Sequence, residues 1–268
     1  DEAYDYKKNN QSDYISLNEG TWDPTSATIN DIWSNCYSMI NRCNNALDKI
    51  DKVSESNRKQ FEGEACFFRA YAYFTLVRLY GPVPLTQHVI SNYNELYSYN
   101  RSPKEDIYAL IKEDLAKATA NLPQSYKEAS KAGRATSIAA KVMLADVYMT
   151  LKDFNSAKTQ LKEVIDYANQ NPDNLGLLDD YASIYDSENP VNKEIILAAQ
   201  FNNGSTQITN YLMRRCIPAV TPNNQPAYVY PDGTKSTILC SQGVSCLLMT
   251  WELYNALRKN PQDKRYTQ

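Results

Sequence analysis

Residues 62–85 read EGEACFFRAYAYFTLVRLYGPVPL, an aromatic-rich run that ends in a short segment of glycine and prolines. If the run is helical, its apolar residues fall on two faces. One face would carry Phe61, Ala65, Phe68, Ala72, Leu76 and Leu79, and the other Phe67, Tyr71 and Phe74. A helix with two apolar faces is typical of a position between neighbouring elements. Because Gly81 suits the left-handed position after a helix and Pro82 cannot continue helical hydrogen bonding, we expect a sharp end there.

The same run resembles the signature helix of the SusD/RagB family, the surface glycan-binding lipoproteins of starch-utilisation-type systems. In that family a Glu-Ala-x-Phe-Leu-Arg-Ala segment leads through aromatic residues to Tyr-Gly-x-Val-Pro-Leu. The corresponding segments here are 64–70 and 80–85, with Cys66 where a basic residue is usual. Family members usually begin earlier and continue further. The chain is therefore expected to be part of a longer protein.

The resemblance implies a function as well as a fold. It implies non-catalytic binding of an oligosaccharide or polysaccharide at the cell outer membrane and delivery to a SusC-like TonB-dependent transporter. It also implies a surface lipoprotein, whose N-terminal lipid anchor is not present in this chain. The alternative is a member of the same fold that binds a peptide or a protein surface. An enzyme acting on glycans is a third and weaker hypothesis.

The composition limits the classes of molecule that the chain is expected to bind. A net charge of -3 and a pI near 5.4 argue against nucleic acid, because binding phosphates usually needs a basic patch. The 21 tyrosines, beside 6 phenylalanines and 3 tryptophans, offer apolar rings whose hydroxyls can stay hydrated. Such surfaces suit sugars and also protein interfaces. The eight glycines form neither a dinucleotide fingerprint nor a phosphate-binding loop, so we expect no cofactor.

Cysteine and histidine usage argues against a metal site and against histidine-based catalysis. The chain has one histidine, His88, and no Cys-x-x-Cys pair. We interpret His88 as a solvated or capping residue. Cys36 and Cys43 would lie roughly 10 Å apart along one helix, too far for a disulfide, and are interpreted as small core residues. Residues 240 and 246 are compatible with a disulfide or with free buried thiols, and the redox compartment stays open.

Periodicity predicts five helices. They cover about 30–51, 58–80, 103–121, 135–151 and 154–170. The last two form a helical hairpin around Lys152 and Asp153 that resembles a tetratricopeptide repeat, with Lys141 at the position of the usual tryptophan. Ser102, Pro103 and Glu105 predict a capping box at the start of the third helix. Asn44 lies on the apolar stripe of the first helix and is predicted to fasten neighbouring backbone.

After residue 170 the periodicity weakens. Residues 194–201 suggest a short buried strand or an extended segment, residues 202–243 show no sustained period, and residues 245–258 suggest a last helix. The predicted fold class is all-α, a tetratricopeptide-like helical superhelix with an irregular loop-rich flank. We interpret residues 1–268 as a single SusD-like domain, with a helical repeat core over about 30–170 and an irregular region over about 171–268.

Sugar binding needs aromatic rings for pyranose faces and amides or carboxylates for hydroxyls. Such groups occur in two irregular regions of the sequence, and they are the predicted ligand-binding residues: Tyr14, Asn18, Trp22 and Asp23 in the first, and Asn202, Asn203, Tyr228 and Tyr230, together with Tyr211, in the second. For any one of these rings, packing of a loop onto the helices is an equally good interpretation. No catalytic and no metal-binding residue is predicted.

Overall fold

The computed structural model of the chain describes residues 3–4, 16, 20–90, 92–126, 131, 133–185, 191–200, 248–249 and 259. Five long helices dominate the described residues: α1 (Ala27–Asp48), α2 (Glu55–Tyr80), α3 (Lys104–Asn121), α4 (Ser137–Thr150) and α5 (Phe154–Gln170). Shorter helical segments cover Ile50–Lys52, Tyr93–Leu96 and Tyr181–Tyr185. The sequence-based prediction of an all-α, tetratricopeptide-like fold is confirmed.

Two compact units make up the chain. One unit comprises residues 31–200 and contains most of α1 together with α2 to α5. The other comprises residues 1–30 and 201–268. Within it, two-residue strands β1 (Ala3–Tyr4) and β2 (Leu248–Met249) pair in antiparallel register, Ala3 opposite Met249.

Helix α2 is the centre of the larger unit, as the sequence predicted. Its Ala70, Tyr73 and Leu76 side chains are completely buried. The helix ends where Gly81 takes a φ of 72° and donates its N–H to the Val77 carbonyl at 3.1 Å. This positive φ is the conformation that glycine adopts readily.

The predicted assignment of the two α2 faces is wrong at three positions. Phe61, Tyr71 and Leu79 are 40%, 51% and 60% exposed. Leu79 lies in the last turn of α2, Phe61 lies in its second turn, and Tyr71 points away from the core. The buried surface instead includes small or polar residues that a count of large apolar side chains undervalues, among them Gly63, Cys66, Arg69 and Ala70.

The predicted helical hairpin is confirmed. Helix α3 packs against both α2 and α4, and α4 packs against α5. Thr136 caps α4 by accepting from the Ala139 N–H, and Asp153 caps α5 by accepting from the Ser156 N–H, each at 3.1 Å. Lys152 between the two helices has a φ of 62°. Across the hairpin, Lys141 Nζ lies 2.6 Å from a Glu163 carboxylate oxygen.

One local prediction is wrong, and of the two alternatives given for residues 194–201 the buried strand does not form in the described part. The residue that caps α3 is Pro103, without a side-chain hydrogen bond, so the capping box does not form. The Ser102 N–H is used elsewhere and donates to the Val83 carbonyl at 3.0 Å. Residues 194–200 contain no strand, and Ile196 and Leu197 are more than a third exposed. An apolar run of this length does not by itself distinguish a buried strand from an exposed extended segment.

Cys36, Cys43 and Cys66 are buried free thiols, which confirms the interpretation of the first two as core residues. Burial raises the pKa of the Cys43 thiol to about 11 and that of the Cys66 thiol to about 12. Among the residues that the structure describes, no helix is both long and apolar enough to cross a bilayer. Of the predicted helix at 245–258 the structure describes only Leu248 and Met249, which form strand β2, so the helix prediction is wrong at these two residues. Cys240 and Cys246 lie outside the described residues.

Candidate functional site

A buried ion pair joins α2 to α3. Arg69 Nε and Nη2 donate to the two carboxylate oxygens of Asp114, each at 2.8 Å. The Arg69 side chain is 7% exposed and that of Asp114 is completely buried. Two parallel bonds between a guanidinium and a carboxylate are a strong and directional arrangement. The two buried charges therefore satisfy each other, and neither is available as a catalytic group.

Asn44 extends this pair to the loop that follows α2. Its Oδ1 accepts from Arg69 Nη1 at 2.9 Å, and its Nδ2 donates to the Thr86 and His88 carbonyls at 3.1 Å each. The amide is 1% exposed and uses both of its ends. This confirms the prediction that Asn44 fastens neighbouring backbone.

Two tyrosines complete the attachment of the loop. The Tyr73 hydroxyl accepts from the Thr86 N–H at 2.7 Å and donates to the Thr86 carbonyl at 2.8 Å. The Tyr37 hydroxyl donates to the Pro84 carbonyl at 2.7 Å. Burial raises the pKa of Tyr73 above its ordinary value, which keeps its hydroxyl protonated as a donor. We call Tyr37, Asn44, Arg69, Tyr73 and Asp114 the polar clamp.

His88 lies on the outside of this loop. Its side chain is 82% exposed, and its Nδ1 lies 2.7 Å from Asp48 Oδ1. The other Asp48 oxygen accepts from the Val89 N–H at 2.9 Å. This placement agrees with the interpretation of His88 as a solvated residue. The described residues contain no group of three His, Cys, Asp or Glu side chains placed to hold a metal ion.

Trp22 and Asp23, two of the predicted ligand-binding residues, share a tight turn before α1. Asp23 Oδ1 accepts from the Thr25 N–H at 2.6 Å and from the Thr25 hydroxyl at 2.5 Å. The Asp23 carbonyl accepts from the Ser26 N–H at 3.1 Å. These bonds fix the turn, and the indole of Trp22 beside it is 52% exposed.

The electrostatics of this turn favour an ionised carboxylate. Hydrogen bonds from the Thr25 hydroxyl and N–H lower the pKa of Asp23 below its ordinary value. Both bonds go to Oδ1, so the described residues donate no hydrogen bond to Oδ2. An exposed ring next to a carboxylate oxygen can cover the apolar face of a sugar and accept from its hydroxyls.

The other predicted ligand-binding residues stay predictions. Tyr14, Asn18, Asn202, Asn203, Tyr211, Tyr228 and Tyr230 lie outside the described residues. The structure thus brings together Trp22 and Asp23 and describes no further member of the predicted set.

Sequence reasoning missed a cleft of about 380 Å³ in the unit of residues 31–200. Its described walls come from three parts of the chain: residues 124–126 with 131 and 133–138, residues 167–175, and residues 191–200. The one signal of this cleft in the sequence is the glycine at position 133. Gly133 has a φ of 83°, and an added Cβ would lie 2.8 Å from Gln200 Cγ, so only glycine fits where these two walls approach each other.

The helical hairpin and the buried centre of α2 define a tetratricopeptide-like helical protein. Comparison with known families places it more closely: the chain belongs to a SusD-like family described as "starch-binding associating with outer membrane", whose model matches residues 2–149.

Individual relatives agree with this assignment. A SusD-like protein of Bacteroides ovatus is 33% identical over 183 residues, which are 63% of this chain and 32% of that protein. A laminarin-binding SusD-like protein of known structure is 25% identical, with a TM-score of 0.80 over 99% of this chain and 57% of its own. A SusD superfamily protein from Parabacteroides distasonis is 27% identical, with a TM-score of 0.76 over 99% and 53%. The chain spans about a third of the length of the curated relatives it matches.

Proposed function

We propose that this chain is part of a non-catalytic, cell-surface receptor for an oligosaccharide or polysaccharide. Membership of the SusD-like family and the laminarin binding of one structural relative support the class of ligand. The observation in this chain that carries the proposal is the half-exposed indole of Trp22 on a turn fixed by Asp23.

Binding would rest on stacking and hydrogen bonding. The Trp22 ring covers the apolar face of one pyranose unit, and Asp23 Oδ2 accepts from a neighbouring hydroxyl. Because the turn is already ordered by Thr25, less conformational entropy is lost when the sugar binds. We include Tyr14, Asn18, Asn202, Asn203, Tyr228 and Tyr230 in the same site on the sequence pattern alone.

The proposal contains no chemical step. The buried carboxylate of Asp114 is bound by Arg69, and His88 pairs with Asp48 at the surface. Neither pair has the two free carboxyl groups that face each other across a glycosidic bond in most glycoside hydrolases. Release of reducing ends by catalytic amounts of the protein would contradict this part of the proposal.

We further propose that the bound glycan is delivered to a SusC-like TonB-dependent transporter. In this scheme the whole protein is an outer-membrane surface lipoprotein held by an N-terminal lipid anchor, and residues 1–268 belong to one SusD-like domain. The description of the family as outer-membrane-associated supports the location. Co-purification with a SusC-like transporter from the source cells tests the partnership, and failure to co-purify after cross-linking would contradict it.

The alternative ligand is a peptide. An apolar groove on α4 and α5 favours it, because Met149, Phe154 and Ile165 are 45%, 66% and 58% exposed there. Ala157 and Leu161 complete the groove, and Lys158 and Lys162 flank it. Such a surface suits an amphipathic helix with apolar anchors three and four residues apart.

Calorimetry with two pools separates these functions. The purified chain is titrated with starch, fructan, laminarin and host-glycan pools, and in parallel with a proteolysed protein pool. Saturable binding to one glycan class, competed by its free oligosaccharides, is the expected result. Binding to the peptide pool alone, abolished by Phe154→Ser and unaffected by Trp22→Ala, would overturn the glycan proposal in favour of the peptide.

A further inference from the structure

The cleft missed by the sequence has walls that are held together by hydrogen bonds. The Gly176 N–H donates to the Lys193 carbonyl at 3.0 Å, and the Leu178 N–H donates to Glu194 Oε2 at 2.9 Å. These bonds join the segment after α5 to residues 191–200. With the close approach at Gly133, they make the cleft a formed feature of this unit.

One wall presents an aromatic ring in a fixed orientation. The Tyr126 hydroxyl donates to the Ala135 carbonyl at 3.3 Å and accepts from Gln60 Nε2 at 3.2 Å. Arg134 lies with its guanidinium carbon 5.7 Å from the centre of this ring, and donates to both oxygens of Glu64 at 2.8 Å. Because its hydroxyl is bonded, the Tyr126 ring is held in place before a ligand arrives.

Another part of the lining carries an unsatisfied amide. Asn192 is 9% exposed, and its Oδ1 accepts from the Glu194 N–H at 3.1 Å. Its Nδ2 is buried and has no hydrogen-bond partner. Leaving a buried donor unpaired costs about 1–3 kcal/mol. Asn192 is one of the residues that line the cleft, so this unpaired donor is a candidate partner for a ligand oxygen.

We infer that this cleft is a second saccharide site, for a neutral sugar of one or two pyranose rings. Tyr126 and Tyr167 supply rings for the apolar sugar faces, and Asn192 supplies a donor to an acceptor oxygen of the sugar. The volume of about 380 Å³ is near the lower end of the range of about 300–1,000 Å³ for small-molecule sites, which favours a short ligand.

Most of the lining is uncharged, which favours a neutral ligand. The Arg134 guanidinium pairs with Glu64, and the other charged lining residues are Lys131, Lys193 and Asp173. Neutral hydrogen-bonding side chains dominate the rest, including Gln124, Ser125, Asn174 and Gln200. The inference rests on the proposed function for the choice of sugar as the ligand class, and it does not involve Trp22.

Nuclear magnetic resonance of the ¹⁵N-labelled 268-residue chain tests the inference. Maltose, cellobiose, laminaribiose and glucuronic acid are added separately, each up to about 10 mM, which detects dissociation constants in the millimolar range. The side-chain amide signals of Asn192 are assigned by their loss in Asn192→Asp, which keeps the acceptor for the Glu194 N–H. The indole signal of Trp22 is assigned by its loss in Trp22→Phe.

The expected result is a saturable shift of the Asn192 amide with a neutral disaccharide, equal in the wild type and in Trp22→Ala. Asn192→Asp should weaken binding at the cleft at least about tenfold, read at the Gly133 amide, with an unchanged midpoint of thermal unfolding. Tyr167→Leu should also weaken binding at the cleft, and it leaves the Asn192 side-chain amide in place. This variant provides a second measurement if Asn192→Asp unfolds the chain.

Two results would overturn the inference. One is the absence of any saturable shift at Asn192 and Gly133 with the neutral sugars. The other is a response to glucuronic acid alone. The two proposals can fail separately. A shift of the Trp22 indole signal without a shift of the Asn192 amide would contradict the second site and leave the proposed function standing. A shift of the Asn192 amide without a shift of the Trp22 indole would contradict the binding role of Trp22 and leave the second site standing.

Discussion

Arg69 of α2 and Asp114 of α3 form a two-bond ion pair that is almost completely buried, with both N–H···O distances at 2.8 Å. Arg69 also donates to Asn44 of α1 at 2.9 Å. Three helices therefore meet at one guanidinium. Removing either charge would leave the other in the core without a partner, which costs more than the pair itself contributes.

Loss of one partner should strongly destabilise the fold. Arg69→Met or Asp114→Asn is expected to lower the free energy of unfolding by about 3–5 kcal/mol, measured by urea denaturation. Arg69→Lys should also be destabilising, because an ammonium cannot form the two-bond geometry. The control is Lys117→Ala at the exposed Glu113–Lys117 pair, with an expected loss below about 1 kcal/mol. Equal losses for the buried and exposed pairs would contradict the role of the polar clamp.

Removing the Tyr73 hydroxyl should lower the free energy of unfolding far more than removing the hydroxyl of Tyr71. Tyr73→Phe leaves the buried Thr86 N–H without its acceptor and is expected to cost about 1–3 kcal/mol. Hydrogen exchange at the Thr86 amide should accelerate accordingly. Tyr71→Phe changes the same group on a 51% exposed ring and serves as the matched control. Unchanged exchange at Thr86 would show that the loop is held by other contacts.

Asp48 should contribute to the acid sensitivity of the fold. Hydrogen bonds from the Val89 N–H and from His88 lower the pKa of Asp48 below its ordinary value of 3.8. The ionised form is thus favoured by folding, so its contribution is present above pH 3.8 and is lost as the pH falls through the lower, folded-state pKa. Asp48→Asn should flatten the acid limb of a stability–pH curve in that window. Asp51→Asn makes the same change of charge as a control, and identical curves for the two variants would contradict the prediction.

The buried thiols should be unreactive in the folded protein. Burial raises the pKa of Cys66 to about 12 and that of Cys43 to about 11, and the reactive thiolate is nearly absent at pH 8. Iodoacetamide at pH 8 should label both cysteines only after addition of urea, as read by peptide mass spectrometry. Rapid labelling of Cys66 in the native chain would show that α2 opens readily.

The features of the fold that could be predicted from the sequence are those that residues close in sequence determine. Gly81 and the helical hairpin were correctly predicted because a helix end and a tight turn are set by residues close in sequence. The faces of α2 were not, because which side is buried depends on where α1 and α3 pack. The sequence did not predict the burial of Arg69, because the residue is charged and its burial depends on the ion pair with Asp114, 45 residues away.

The candidate site was harder to predict than the fold. Trp22 and Asp23 could be proposed from the sequence because an aromatic residue beside an acid in an irregular segment is a recognisable pattern, and their role in binding stays a prediction. The cleft was missed because Tyr126, Tyr167 and Asn192 are far apart in the chain and carry no shared motif. An unpaired amide is a property of three-dimensional packing and has no sequence signature.

Calorimetry of Trp22→Ala, with the glycan class that binds the wild type, tests the claim that Trp22 binds glycan. We expect a loss of affinity of at least about tenfold, or ~1.4 kcal/mol, with an unchanged midpoint of thermal unfolding. Tyr97→Ala, which removes a ring that is 89% exposed, should bind like the wild type. Wild-type affinity in Trp22→Ala would contradict the claim.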